Sequence, residues 1–286
     1  MAYSTPTTIS EALDLLASSP STVIAGGTDL YPAAVGEPLR GNIIDISKVS
    51  DLRNIRVDGS SWRIGSMVTW TDVLSADLPP VFDALKLAAR EVGSVQIQNV
   101  ATVIGNICNA SPAADGVPPL LSMDAKLELC SSRSTRVIPL RDFILGNRQT
   151  ALGEDEMVTA LVLPRVGEND QSHFIKLGAR KYLVISIAMV AANLRVDEHG
   201  VVESVRIAVG ACSEKAVRLA ALEQHLLGMK VESVVDEVTR FTGSLSLSPI
   251  DDIRASKTYR ERAAKVLVAR TLDACIDKHV HRAGIR

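Results

Sequence analysis

Hydrophobic positions recur at helical and strand spacings along the whole chain, which predicts a mixture of helices and strands. Thr8 and Glu11 form the pattern of a capping box, and apolar positions follow at helical spacing as far as Leu16. Alternating residues over 53–57 and 61–65 predict a β-hairpin. The other periodic segments of the first half predict strands over 23–25, 42–46, 125–130, 136–138 and 157–163, and helices over 71–76 and 81–92.

A polar segment over 167–172 has no apolar periodicity and carries a glycine, so it is typical of a linker between two domains. The apolar run over 182–194 that follows predicts a buried strand. The rest of the second half predicts an antiparallel pair of strands over 185–196 and 201–209, and helices over 216–227, 231–242 and 259–281. We therefore predict an α+β protein with a first domain over 1–166, in subdomains 1–52 and 53–166, and a second domain over 172–286.

The composition of the 286 residues fits a globular protein, because 47% of them are hydrophobic and can form sizeable cores. The net charge of −2 and the sequence pI near 6.2 provide no basic patch, so we expect no nucleic-acid partner. The first residues lack the basic and apolar regions of a signal peptide, and the run over 182–194 is shorter than the roughly 20 residues of a membrane-spanning helix. We therefore expect a cytoplasmic protein with no membrane span.

The cysteines lie far apart and show no spacing typical of a metal site or a redox motif. They are Cys108, Cys130, Cys212 and Cys275. No further ligand lies within local spacing of His279 and His281 near the C-terminus. We predict reduced structural thiols, no metal site, and no iron–sulfur cluster bound by this chain alone.

A glycine loop over residues 25–30 follows the first short apolar run. Gly26 and Gly27 let the backbone approach a ligand closely, so that successive N–H groups can form a concave site for an anion. The hydroxyl of Thr28 would add a donor, whereas the carboxylate of Asp29 would have to face away from a phosphate. A glycine pair after a strand is also typical of a plain turn, so the prediction of an anion-binding site depends on a second loop.

A second tract over residues 99–107 supplies that loop and leads into a polar segment. Thr102, Gly105 and Asn106 offer a hydroxyl, a bare backbone and an amide. Ser111 adds a donor, and the Asp115 carboxylate could accept from a ribose hydroxyl. The alternative is that residues 109–112 form only a turn and that Asp115 only caps the next helix. Two such loops favour a ligand with two phosphates.

Residues 25–30, 96–106 and 111–115 together resemble the two FAD-binding loops of the medium subunits of molybdenum hydroxylases, a family that includes carbon monoxide dehydrogenase and xanthine dehydrogenase. The resemblance covers essentially the whole chain. It implies a two-subdomain FAD-binding α/β domain of the PCMH type, followed by a C-terminal domain with a three-stranded antiparallel sheet and a helical bundle.

The resemblance also implies which residues bind the cofactor. The glycine loop, Thr102, Gly105 and Asn106 would hold the pyrophosphate, Asp115 would lie towards the ribose, and Lys176 of the stretch opening the second domain would approach the flavin. The complete implied FAD-binding set is Ile24, Ala25, Gly26, Gly27, Thr28, Asp29, Leu30, Ala101, Thr102, Gly105, Asn106, Asn109, Ser111, Asp115, Val158 and Lys176. No residue of this chain is expected to act as a catalytic acid or base.

Two departures from the family pattern bear on the cofactor site. Ile104 stands where relatives carry the first of two adjacent glycines, so we expect altered contacts there. The stretch over 91–94 has no aromatic residue to stack on the flavin, which favours an aliphatic cover. A cysteine-rich insertion for an extra cluster is also absent from the sequence.

The resemblance implies an oxidoreductase subunit that relays electrons. They would come from [2Fe-2S] clusters in a small partner subunit, which receives them from the molybdenum cofactor of a large partner subunit, in a dimer of heterotrimers. An external acceptor would take them from the FAD. The alternatives are a stand-alone FAD-dependent oxidoreductase and a flavin-free scaffold subunit.

Overall fold

The computed structural model describes residues 2–36, 38–165 and 170–283. Residues 167–169 of the predicted linker lie outside the described residues. The end of that segment is not a linker, because a strand begins at Gln171. The proposed domain bounds, 1–166 and 172–286, stay a prediction.

Within the described residues the chain forms fourteen strands, most of them short. They are β1 (Tyr3–Ser4), β2 (Ser21–Ile24), β3 (Asn42–Asp45), β4 (Ile55–Asp58), β5 (Ser61–Gly65), β6 (Lys126–Cys130), β7 (Thr135–Pro139), β8 (Ile144–Gly146), β9 (Gln149–Thr150), β10 (Met157–Pro164), β11 (Gln171–Leu177), β12 (Ala188–Val196), β13 (Val202–Gly210) and β14 (Val217–Arg218).

The same described ranges contain eleven α-helices and four short 3-10 turns. The helices are α1 (Ile9–Ser18), α2 (Leu30–Ala33), α3 (Trp70–Ser75), α4 (Asp83–Glu91), α5 (Val95–Gln98), α6 (Val103–Cys108), α7 (Val117–Ser122), α8 (Leu140–Phe143), α9 (Ala220–Leu226), α10 (Val234–Arg240) and α11 (Lys257–Ala283). The 3-10 turns are Ile46–Lys48, Ser50–Leu52, Pro80–Phe82 and Val231–Ser233. None of the helices that the structure describes combines the length and hydrophobicity needed to cross a lipid bilayer.

The chain divides into two compact units, and each is assembled from three separate segments. Unit 1 contains the described parts of Met1–Ala76, Ser94–Ala110 and Asp124–Arg165. Unit 2 contains the described parts of Asp77–Gly93, Ser111–Met123 and Val166–Arg286. Neither unit is therefore one continuous stretch of sequence.

Unit 1 contains two larger sheets, of which one is parallel and the other antiparallel. In the first, β1 and β2 both pair in parallel with β3. The second is antiparallel in the order β4-β5-β10-β6-β7, and its central strand β10 is buried along most of its length. Since β2 is a parallel strand, the loop that leaves its carboxyl end starts at the sheet edge where ligands commonly bind in α/β proteins.

Helix α1 of unit 1 confirms the predicted capping box. The Thr8 hydroxyl accepts a hydrogen bond from the Glu11 N–H, and the Glu11 carboxylate accepts from the Thr8 N–H. The buried face of the helix, which includes Leu13 and Leu16, belongs to the same core as Ile44 of β3. Local capping and core packing therefore specify the same helix.

Unit 2 is built around an antiparallel sheet in the order β11-β12-β13-β14. Alternate residues of β12 face opposite sides, as strand geometry requires. Val190 and Ala192 share a core with Val268 of α11, whereas Met189 packs in a second cluster with Ala88 of α4. The sheet is thus covered by helices on both faces.

Two predictions for unit 2 are wrong in part. The helix predicted from 216 begins at Ala220, because Val217 and Arg218 pair with β13 and add a short fourth strand to the three long ones. The buried strand predicted over 182–194 begins only at Ala188, and Tyr182 before it is exposed. At Val217 and Arg218 the pairing with the sheet outweighs the local helical pattern.

Candidate functional site

The glycine loop of unit 1 lies directly against the second tract. A Cβ at Gly26 would overlap the carbonyl oxygen of Val100 and would lie 3.0 Å from the Cα of Ala101. Only a residue without a side chain permits this approach of two backbones. The structure therefore brings together the two loops that the sequence analysis paired.

Position 27 requires glycine for a different reason. Its φ of 67° lies in the left-handed region, and a Cβ there would also overlap the ring of Tyr31. Its carbonyl oxygen accepts a hydrogen bond of 3.1 Å from the Tyr31 N–H, which starts the short helix α2. The loop consequently turns sharply between β2 and α2.

The turn leaves several backbone donors of the glycine loop without protein partners. Among the described residues, the N–H groups of Gly26, Gly27 and Thr28 donate no hydrogen bond to a protein acceptor. All three residues are partly exposed. Successive free N–H groups in such a turn favour an anionic ligand. Asp29 is exposed and makes no side-chain capping bond.

The second tract is fixed to the rest of unit 1 by backbone hydrogen bonds. The carbonyl oxygen of Ala101 accepts from the Trp70 N–H at 3.2 Å, and the Val103 N–H donates to Val68 at 3.0 Å. Between these two bonds lies Thr102, whose hydroxyl accepts from the Gly105 N–H at 3.0 Å and caps α6. This capping role was not predicted, although Thr102 immediately precedes a helix.

Ile104 and Asn106 differ in how helix α6 accommodates them. The Ile104 side chain is buried in unit 1, so the bulky residue found in place of the expected glycine points into the core. The side-chain oxygen of Asn106 is buried but has no hydrogen-bond partner among the described residues. A buried polar atom without a partner is costly, and because this oxygen is an acceptor, only a ligand group that donates a hydrogen bond can satisfy it.

Other predicted residues of unit 1 serve the structure around the loops. Asn109 accepts a hydrogen bond of 2.7 Å from Arg148, and Ile24 is buried at the end of β2. Val158 is buried in β10, beside the irregular pairing with β6 at Thr159. Burial also raises the pKa of the Cys108 thiol at the end of α6 to about 12, so it remains protonated.

In unit 2, Asp115 and Lys176 form a buried ion pair. Their side chains are 9% and 6% exposed, and the Lys176 ammonium lies 2.6 Å from one carboxylate oxygen of Asp115. The other oxygen accepts from the Ser186 hydroxyl at 2.6 Å. Burial raises the pKa of Asp115, and the charge of Lys176 opposes that effect. Lys176 also donates to the carbonyl oxygen of Glu91.

Around Asp115 the structure contradicts one prediction and adds one contact that was not predicted. Asp115 does not cap α7, because Gly116 occupies the N-cap position and no side-chain bond is made there. The contact of Ser186 with Asp115 was missed, since the two residues lie far apart in sequence and no local motif links them. Ser111 accepts from the Ala113 N–H and so stabilises a local turn.

The residues of unit 1 fit the diphosphate of FAD. Close packing at Gly26 holds the glycine loop against the second tract, and the N–H groups of the glycine loop without protein partners supply donors for phosphate oxygens. The Asn106 oxygen lacks a protein partner, and because it is an acceptor it suits a hydroxyl or N–H donor of FAD and not a phosphate oxygen. The Thr102 hydroxyl is already an acceptor within α6, so only its own hydrogen remains to be donated.

Comparison with protein families gives matches over nearly the whole chain. Residues 1–166 match the family described as the FAD binding domain in molybdopterin dehydrogenase. Residues 173–275 match the CO dehydrogenase flavoprotein C-terminal domain. The order of the two matches is the order in which the sequence analysis placed its two domains.

Individual relatives agree with these family matches. The putative xanthine dehydrogenase FAD-binding subunit of Escherichia coli is 30% identical over 279 residues, which cover 96% of this chain and 95% of the relative. The nicotinate dehydrogenase FAD-subunit of Eubacterium barkeri is 34% identical over 242 residues, 82% of each chain. A carbon monoxide dehydrogenase structure from Hydrogenophaga pseudoflava superposes with a TM-score of 0.84, at 28% identity and 97% coverage of both chains.

Proposed function

Because the chain belongs to the family of FAD-binding subunits of molybdenum-dependent dehydrogenases, we propose that it relays electrons from iron–sulfur clusters of a partner subunit to an external acceptor. Bound FAD supplies the redox chemistry, since a flavin can take up two electrons and release them singly or as a pair. The residues of this chain bind and orient the cofactor.

The packing of Gly26 against Val100 is the observation that carries the proposal. It holds the glycine loop and the second tract in contact within unit 1, with the N–H groups of Gly26 and Gly27 left without protein acceptors. We infer that these N–H groups and that of Thr28 bind the pyrophosphate of FAD. Backbone donors suit this task because they hold a phosphate without a basic side chain.

Asn106 and Thr102 have supporting roles in the proposed cofactor site. The Asn106 oxygen would accept a hydrogen bond from a hydroxyl or N–H group of FAD, and the Thr102 hydroxyl would keep the start of α6 in place while donating its hydrogen to the pyrophosphate. The buried side chain of Ile104 supports the view that its replacement of a glycine alters contacts without blocking the site.

The roles of Asp115, Lys176 and Val158 stay predictions based on the family resemblance. Asp115 balances the charge of Lys176 within unit 2. Lys176 would therefore interact with the flavin as part of a hydrogen-bonded ion pair and not as an isolated cation. No side chain of the chain is assigned an acid or base role. Electron relay needs positioning of the cofactor and no proton abstraction by the protein.

We further infer two partner subunits in the working enzyme. A small subunit would carry the [2Fe-2S] clusters and a large subunit the molybdenum cofactor, and the complex would be a dimer of heterotrimers. The family membership supports this assembly, because the relatives described above are named as subunits of dehydrogenases. Purification from the native source should recover both partners, and a chain isolated alone that turns over substrate would contradict the relay.

Cofactor content tests the pyrophosphate assignment directly. In a Gly26→Ala variant the new Cβ would overlap the Val100 carbonyl, so we expect the Kd for FAD to rise at least about tenfold, the equivalent of about 1.4 kcal/mol, and the FAD content per chain to fall. Gly59→Ala is the matched control, since its Cβ would meet nothing within 4 Å. Visible absorbance of the purified chains measures the flavin.

The outcomes of this experiment separate the candidate functions. Normal FAD content in the Gly26→Ala variant would contradict the assignment of the glycine loop. An unaltered chain without flavin bands, even after expression with ample riboflavin, would instead support a flavin-free scaffold. Circular dichroism of both variants controls for folding, because Gly59 has a φ of 57° and its replacement carries its own conformational cost.

A further inference from the structure

Arg260 on α11 is a buried cation whose hydrogen bonds reach three separate segments of unit 2. It is only 3% exposed. One guanidinium nitrogen donates to the carbonyl oxygens of Ile187 at 2.5 Å and Ala211 at 2.9 Å, and another lies 2.7 Å from the Asp252 carboxylate. A planar guanidinium carries its donors on separate nitrogens in a fixed geometry, so it can bind acceptors that are too far apart for a single ammonium nitrogen.

The hydrogen bond from Arg260 to Ile187 holds a segment that contacts the buried ion pair of Asp115 and Lys176. Ile187 follows Ser186, whose hydroxyl donates to Asp115. The Ile187 N–H donates to the carbonyl oxygen of Leu177, the residue after Lys176, at 2.8 Å. The segment held by Arg260 is therefore linked to Asp115 through Ser186 and to the residue next to Lys176 through Leu177.

The hydrogen bond from Arg260 to Ala211 holds a second segment, which contacts the turn before Asp115. Ala211 has a φ of 61°, an unfavourable conformation for a residue with a side chain, so its geometry depends on external support. Its N–H donates to the carbonyl oxygen of Pro112 at 3.0 Å, in the turn that leads to Asp115. Arg260 thus supports the Asp115 segment as well as the Ser186 segment.

We propose that Arg260 is a positioning residue for the buried Asp115–Lys176 ion pair, acting through Ile187 and Ala211. It touches neither member of the pair. Its guanidinium fixes the two backbone segments whose spacing determines whether Ser186 and Lys176 can both reach the Asp115 carboxylate. Removing it would loosen both segments and expose the Lys176 ammonium.

Arg254 provides a matched control because it shares one partner with Arg260. Its guanidinium lies 3.1 Å from the Asp252 carboxylate. No hydrogen bond joins Arg254 to Ile187 or Ala211 within the described part of the chain. If the only task of Arg260 were to hold the Asp252 loop, Arg254 and Arg260 substitutions would have similar effects.

The experiment measures acetylation of native full-length protein by acetic anhydride, site by site, with mass spectrometry. Two lysines act as internal references. Lys181 is exposed, and Lys278 on α11 is ion-paired with Asp83 in the same unit. We expect Arg260→Ala to raise Lys176 labelling relative to Lys181 about tenfold, with no change at Lys278, because only the local segments open.

Three results decide the proposal. Selective labelling of Lys176 in Arg260→Ala but not in Arg254→Ala supports it. Unchanged Lys176 labelling, or an equal rise in both variants, overturns it. If Arg260→Ala does not fold, Arg260→Lys serves instead, because it keeps the charge but its single nitrogen cannot reproduce the positions of the two guanidinium nitrogens that bind these acceptors.

The consequence for FAD rests on the proposed function, in which Asp115 and Lys176 belong to the cofactor-binding residues. Under that assignment the variants that label at Lys176 also retain less FAD, measured by flavin absorbance per chain. Raised labelling with full FAD content would leave Arg260 a positioning residue of the pair but would contradict the cofactor role of the pair. The two conclusions are therefore distinguishable.

Discussion

At Asn106 we expect stability and the proposed binding of FAD to favour different side chains. Its buried oxygen has no partner among the described residues, which costs about 1–3 kcal/mol in comparable sites. We expect Asn106→Leu to stabilise the FAD-free chain by about 1 kcal/mol and to weaken FAD binding about tenfold. Urea denaturation of the apo chain and FAD titration measure the two effects.

The neighbouring Asn99 is a control for the Asn106 prediction. It lies in the same tract, and its oxygen accepts a bond from the Thr71 hydroxyl near the surface. Asn99→Ala should leave FAD affinity unchanged. If Asn106→Leu binds FAD as tightly as the unaltered chain, Asn106 is not a ligand of the cofactor.

Thr102 supports a second prediction at the residue scale. Its hydroxyl caps α6 by accepting from the Gly105 N–H, so Thr102→Val should lower the free energy of unfolding of unit 1 by about 1 kcal/mol. Thr102→Ser keeps the oxygen and should keep the stability. Equal urea midpoints for the Val and Ser variants would show that the cap contributes nothing.

The sequence identified single residues well where the interaction is local. The Thr8 capping box was predicted because its partners lie three residues apart. The contact of Asp115 with Ser186 was not predictable in this way, because the fold brings together residues 71 positions apart. Glycine at position 26 was predicted to let the backbone approach a ligand closely, whereas the structure shows that it approaches the backbone of Val100.

At the scale of elements, a polar cluster links three strands of the antiparallel sheet in unit 1. Arg63 of β5 binds the Glu128 carboxylate of β6 through two guanidinium nitrogens, one of them at 2.6 Å. Thr159 of β10 donates to the same carboxylate from the irregular position in its strand. The cluster therefore fixes the relative register of β5, β10 and β6.

Glu128 makes the stability of this sheet dependent on pH. The hydrogen bonds from Arg63 hold the pKa of Glu128 below its ordinary value of 4.5. The folded state therefore binds fewer protons than the unfolded state in acid, so the stabilisation is present above the unfolded pKa and is lost as pH falls through the folded pKa.

Glu128→Gln should remove that pH dependence. At about pH 7 we expect the variant to be less stable by about 2 kcal/mol, since Arg63 loses a partner in a largely buried position. The difference from the unaltered chain should shrink as pH falls towards about pH 3. Urea unfolding across this range measures it, and a difference that is constant with pH would contradict the assignment.

Sequence periodicity predicted most elements because their packing faces repeat at helical or strand spacing. One exception has a clear physical cause. The stretch at 216–218 has helical periodicity, yet Val217 and Arg218 satisfy the open edge of β13 and form β14. Pairing with a strand that lies close only after folding cannot be read from local residues.

At the scale of the whole molecule, unit 2 requires segments that lie far apart in the chain. The face of its sheet that carries Phe174 and Met189 is covered by α4, from the segment Asp77–Gly93. Ser172 of β11 also accepts from the Ala84 N–H and donates to Val81. No pattern in the sequence indicated that 77–93 and 111–123 join the C-terminal half.

A fragment of residues 170–286 should therefore not fold alone. Without α4 and α7 the buried Phe174 and Met189 become exposed at about 1.5–3 kcal/mol each, and Lys176 loses Asp115. The sum approaches the 5–15 kcal/mol that typically stabilises a domain, so we expect no cooperative urea transition. A fragment of residues 77–286 retains every segment of unit 2 and should recover the transition. Cooperative unfolding of the shorter fragment would mean that the two inserted segments bind to a C-terminal domain that is already complete.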